Sequence, residues 1–78
     1  MPRYFFHLYN DVDTMDEEGR TFPDLAAAHA NAVKEAREMM LETVAEGRIN
    51  FSHRIDIEDG TGAVVGTVTF GEAVTVEG

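Results

Sequence analysis

The chain has 78 residues, no cysteine, and six basic against fifteen acidic residues, for a formal net charge of −9. A chain of that length fits one domain with a modest core, and without thiols it has no disulfide framework or thiolate zinc site, so an efficient core or a partner subunit must hold it. The charge argues against phosphate backbones and anionic membrane surfaces, which bind through Lys and Arg. It favours a basic protein or a cation, and its plainest role is to keep a small protein soluble.

The opening Met1-Pro2-Arg3-Tyr4-Phe5-Phe6 has no basic region followed by a long apolar run. Its aromatic stretch ends at Asn10-Asp11, far short of the ~20 apolar residues that cross a bilayer, so the expectation is a cytoplasmic protein without a membrane span. Residues 3–9 read as a strand, aromatic-rich and free of Gly and Pro. Alternation puts Tyr4, Phe6 and Leu8 on one face and Phe5, His7 and Tyr9 on the other, as in a central strand. Residues 10–19 read as an acidic loop, and Arg20-Thr21-Phe22 as a short return strand ended by Pro23.

Asp24 is placed to cap a helix that runs without a breaker to Gly47, whose left-handed conformation ends it. One helical face collects Leu25, Ala28, His29, Ala32, Val33, Ala36, Met39, Met40 and Val44; Asn31, Lys34, Glu35, Glu38, Glu42 and Glu46 fill the opposite face. Residues 49–58 alternate, with the strand proper over Arg54–Glu58. Asp59-Gly60 is expected to supply the positive φ angles of a hairpin. Ala63–Phe70 returns with Val64, Val68 and Phe70 on one face and Val65, Thr67 and Thr69 on the other. Residues 71–78 read as a tail that either forms a turn and a brief edge strand or is loosely attached.

The order is β-β-α-β-β, an α+β domain with one amphipathic helix on a four-stranded antiparallel sheet. A sheet order of 2-1-3-4 satisfies both hairpins without a crossing connection.

Met1-Pro2-Arg3-Tyr4-Phe5-Phe6-His7, Asp16-Glu17-Glu18-Gly19-Arg20, Pro23-Asp24-Leu25-Ala26-Ala27-Ala28-His29-Ala30, Ile55-Asp56-Ile57-Glu58-Asp59 and Val68-Thr69-Phe70 together carry a resemblance to a family of very small bacterial proteins of unknown function. It covers the chain to about Val74 and implies no activity, cofactor or partner. Phe22-Pro23-Asp24-Leu25 before an alanine-rich helix is also similar to the antitoxin-like HicB domains, which neutralise a small RNA-cleaving toxin. That likeness stops where the Pro-Gly-Cys continuation of those domains is missing.

Asp11, Asp13, Asp16, Glu17 and Glu18 are the densest charge in the chain. Asp-x-Asp is how calcium loops begin. A loop starting at Asp11, however, has Met15, Asp16 and Phe22 where an oxygen ligand, glycine and glutamate belong, so a solvated hairpin is the better reading. Asp11, Asp13, Asp16 and Glu17 remain the metal candidates. His7, His29 and His53 share no ligand spacing on one element. Ser52, the only serine, alternates with His53 to the opposite side of a strand. Gly60-Thr61-Gly62 lacks the lysine of a phosphate cradle. The row Glu38, Glu42, Glu46 reads as a solvated face, or as a ridge for a basic partner.

These readings point to a non-enzymatic interaction or regulatory module without a cofactor. Cation binding through the acidic loop and toxin neutralisation are the alternatives. One helix covers one sheet face, so Phe5 and Tyr9, with His7, Thr67 and Thr69 as neighbours, are expected to pair across a homodimer; the competing cover is the tail, through Val74 and Val76.

Overall fold

A computed structural model describes residues 1–77; Gly78, the end of the expected tail, lies outside the described residues. Strand β1 (Arg3–Tyr9) is followed by two short strands, β2 (Asp13–Thr14) and β3 (Arg20–Thr21), then helix α1 (Leu25–Ala45), β4 (Arg54–Glu58) and β5 (Val64–Thr69). The antiparallel sheet runs β2-β1-β4-β5, and β3 also pairs with β1. The order read from the sequence therefore holds, with one refinement. The return strand is split: Thr14 sits opposite Leu8 and Arg20 opposite Tyr4, while residues 15–19 leave the ladder.

The helix has the ends its sequence specifies. The Asp24 side chain accepts the Ala27 N–H at 2.8 Å, satisfying one of the donors orphaned at a helix start. At the other end Gly47 has φ +86°. Its N–H donates to Val44 C=O at 2.9 Å while Arg48 N–H donates to Thr43 C=O at 2.8 Å, the paired bonds of a Schellman stop.

Helix α1 lies over β4 and β5. Ala28, Ala32, Ala36 and Met40 are buried, facing a core of Ile55, Ile57, Val68 and Phe70 that Tyr4 and Phe6 continue onto β1. Alanine at three successive turns lets the helix sit close on the sheet. The stripe is narrower than the nine residues read from periodicity: His29, Leu25 and Val44 are exposed. A 21-residue helix is about 31 Å long and a six-residue strand about 20 Å, so the helix ends overhang. Asn31, read as outward, is half-buried, and its Nδ2 has no partner.

Two hairpin details correct the sequence reading. Loop Asp59–Ala63 places its positive φ (+88°) at Gly62 rather than Gly60, and the Asp59 carboxylate ties it by accepting from Thr61 N, Thr61 Oγ1 and Ala63 N. Downstream, a bulge shifts the register: Val64 pairs with Glu58, but Gly66 pairs with Ile57. The extra residue turns Val64 to the face away from the helix, where it is 56 % exposed instead of entering the core.

The tail turns toward the helix. Glu72 N–H and Ala73 N–H donate back to Thr69 C=O, Ala73 is buried, and Arg37 Nε donates to Ala73 C=O at 2.6 Å. Val74 packs against the core and Val76 is exposed. The tail therefore does not cover Phe5 and Tyr9, which lie on the other face.

Since Ala36 is fully buried and Leu41 exposed, Ala36→Leu should overpack the helix–sheet seam and cost about 1–3 kcal/mol. Leu41→Ala should change stability by less than about 0.5 kcal/mol. Urea melts of the two variants check the assignment, and equal losses would contradict it.

Candidate functional site

The acidic loop is organised around one carboxylate. Asp16 Oδ2 accepts the Phe6 N–H of β1 at 3.1 Å, and Oδ1 accepts the N–H groups of Gly19 at 3.0 Å and Glu18 at 3.2 Å. The N–H of Asp16 donates to His7 Nδ1 at 3.0 Å, and His7 Nε2 lies 2.9 Å from Glu58 Oε2. Since Nδ1 accepts, this network assigns the imidazole proton to Nε2, donating to Glu58. Both ring nitrogens of buried His7 are thus engaged within the chain. Gly19 completes the knot at φ +68°; a Cβ there would stand 2.7 Å from Tyr4 C=O, so only glycine fits.

The other loop acids point elsewhere. Asp11 pairs with Arg48 at 3.1 Å and lies 3.6 Å from His53 Nε2, while Asp13 and Glu17 are exposed. Among the described residues no three His, Cys, Asp or Glu side chains converge on a point that could hold a metal. The metal candidates are therefore dispersed, and the one most deeply engaged, Asp16, serves the backbone. His53 stacks edge-on to Phe70 at 5.6 Å and does not meet His7.

On the sheet face away from the helix, Phe5, His7 and Tyr9 stand opposite Glu58, Asp56 and Arg54 of β4. The Arg54 guanidinium lies 4.3 Å from the Tyr9 ring centroid, and its Nε donates to Asp56 Oδ1 at 3.2 Å. Thr67 Oγ1 donates to the same oxygen at 3.0 Å. Thr69 Oγ1 is taken by Glu72 at 3.0 Å in the tail turn, and Phe5 is half-buried beside Gly19. The face expected to present bare aromatic rings is a mixed grid, closed largely by its own polar partners.

A third feature was not read from the sequence. A helix about 10–12 Å wide cannot cover four strands spaced about 4.8 Å apart. With α1 centred over β4 and β5, a groove of about 270 Å³ stays open beside the Leu8 end of β1, while Tyr4 and Phe6 are buried. Phe6, Leu8, Ile55 and Met39 line it with apolar surface, and Glu35, Glu38 and Glu42 edge it. Phe22 closes one end, edge-on to Phe6 at 5.7 Å, and Arg20 sits over Phe6 at 5.1 Å while pairing with Glu35. Glu38 has only Lys34, 3.9 Å away, and among the described residues Glu42 has no ion-pair partner. The sequence held the signal: Tyr4, Phe6 and Leu8 face a layer with a single helix.

A family model described as Domain of unknown function (DUF6894) matches residues 3–71. The chain belongs to that family. No curated protein and no solved structure matches it. The DUF6894 span contains the Asp16 knot, the whole sheet, the helix and the groove, and ends before the buried Ala73. Among the described residues no helix is long and apolar enough to cross a membrane.

The knot carries a pH signature. Burial pushes the Asp16 carboxyl up, but the N–H groups of Gly19, Phe6 and Glu18 and the charge of Arg20 outweigh it and hold it below the ordinary aspartate value of 3.8. A depressed folded-state pKa contributes stability that is fully present above the unfolded value and is lost as pH falls through the folded one. Asp16→Ala should cost on the order of 2–3 kcal/mol at pH 7, and that deficit should shrink in melts taken progressively below pH 3.8. Asp11→Asn with Asp13→Asn should leave stability nearly unchanged. A metal-dependent loss in the double variant would contradict the assignment.

Proposed function

We propose that this protein is a non-enzymatic interaction module that works through its surface and takes a basic protein segment as partner. The observation that carries the reading is the open groove beside α1, apolar along its floor and edged by glutamates. The groups most suited to chemistry are engaged in holding the fold: His7 by Asp16 and Glu58, Asp16 by three backbone donors, Asp56 by Arg54 and Thr67. The groove glutamates Glu38 and Glu42 have little internal employment. Together with the net charge of −9, they favour cationic partners and repel nucleic acid and anionic membrane. No step in this reading needs a cofactor, and it fits a cytoplasmic setting.

Capture from the native cell, followed by mass spectrometry, tests the reading. The wild type should retain one or a few partners with a basic segment, and Glu38→Lys with Glu42→Lys should lose them. Retention of the same set by both forms, or recovery of no partner, would count against it.

A second reading, the homodimer, is favoured by one observation. Val64 lies exposed opposite Glu58, which itself pairs with Phe5, so an apolar corner of the outer sheet face remains. Sedimentation equilibrium of the wild type and of Val64→Asp separates the two states: a wild-type monomer at tens of micromolar would remove the dimer.

A further inference from the structure

We infer that the groove is a slot for one amphipathic, basic helix of a partner protein, laid along β1 beside α1. The inference deepens the interaction reading above and rests on it. Three features narrow the occupant.

First, the slot lies on a face of the sheet and not at its edge. The outward backbone groups of β1 are already met by β2, β3 and the Asp16 carboxylate, so the slot offers no ladder to an extended peptide. A segment lying there must satisfy its own backbone, and a helix does.

Second, the apolar surface the groove offers is that of half-buried Leu8 and Met39, over the buried Phe6 and Ile55, which calls for a ligand face of Leu, Ile or Met at helical spacing.

Third, Glu38 and Glu42 are one turn apart on α1, about 6 Å along its axis. They face the seam where Lys or Arg side chains one turn apart on a neighbouring helix would lie. A second copy of α1 would bring the same glutamates into opposition, so the chain itself is a poor occupant. Phe22, with Arg20 held over Phe6 and paired to Glu35, blocks one end of the slot. The ligand therefore lies toward the Leu8 end.

The probe is a fluorescein-labelled peptide of leucine and lysine, with leucine at i, i+3, i+4 and i+7. Its control has the same composition in strict alternation, giving equal charge but no helical face. Anisotropy titrations should show saturable binding of the first and much weaker binding of the second. Glu38→Gln with Glu42→Gln should weaken binding about tenfold, the loss expected for two partly exposed ion pairs. Glu17→Gln with Glu18→Gln, which removes equal charge from the exposed loop, should change it less than about threefold. Backbone amide shifts on titration should concentrate in residues 5–9 and 35–42.

No binding, equal binding of the alternating control, equal weakening by both double variants, or shifts centred elsewhere would each overturn the slot. If native-cell capture still yields a basic partner lost by the Glu38 and Glu42 reversal, the broader reading survives that failure. If capture also yields none, both fall.

Discussion

The Asp16 carboxylate stands in for part of a missing strand. Where residues 15–19 leave the edge of β1, the Phe6 N–H loses its ladder partner, and a buried N–H without an acceptor is costly. Asp16 supplies that acceptor from outside the ladder. The same side chain draws Glu18 and Gly19 inward, its own N–H fixes the ring of His7, and His7 reaches across to Glu58 at the far end of β4. One aspartate thus joins the first hairpin to the centre of the sheet. It also sets where Arg20 emerges, and hence the Arg20–Glu35 pair that ties the loop to the helix.

The core is economical. Its helix contributes three alanines and one methionine, so the bulk comes from the sheet: Tyr4, Phe6, Ile55, Ile57, Val68 and Phe70. Close approach of helix and sheet serves packing density, since small residues on one layer receive large ones from the other. It also fixes the helix over two strands. On β1, Tyr4 and Phe6 are buried, with Phe22 against both, while Leu8 is covered only in part. A groove beside Leu8 and Met39 follows from having one helix for four strands, and it is where the candidate site lies.

Much of this architecture was legible in the residues. Strand β1, strand β4, the Asp24 cap and the Gly47 stop carry strong local signals: unbroken alternation, a capping side chain, a glycine where the left-handed turn must fall. The sheet order followed from chain direction and the avoidance of crossings. What escaped was non-local. Nothing in Asp16 marks it off from Asp11 and Asp13 until the gap in the edge strand is seen. The Val65 bulge adds one residue to a run whose alternation looks regular, so by alternation Val64 reads as a partner of Val68 and Phe70 on the core face. The outer-face aromatics read as bare because their covers, Arg54 over Tyr9 and Gly19 against Phe5, depend on cross-strand register. The groove required knowing which strands the helix chose.

The position of β1 in the sheet also bears on how the chain is made. It is a central strand, yet it is synthesised well before its partner β4, from which β2, β3 and the whole of α1 separate it. At about 5–20 residues per second, several seconds separate the two on a ribosome. During that interval Tyr4-Phe5-Phe6 has one side without a neighbour, a form open to pairing with other chains. Local shelter is at hand: the β2 and β3 fragments and the Asp16 carboxylate can close on β1 with nothing from α1 or beyond. The interrupted hairpin can therefore serve the nascent chain before it serves the finished one, masking one edge while β4 is still to come.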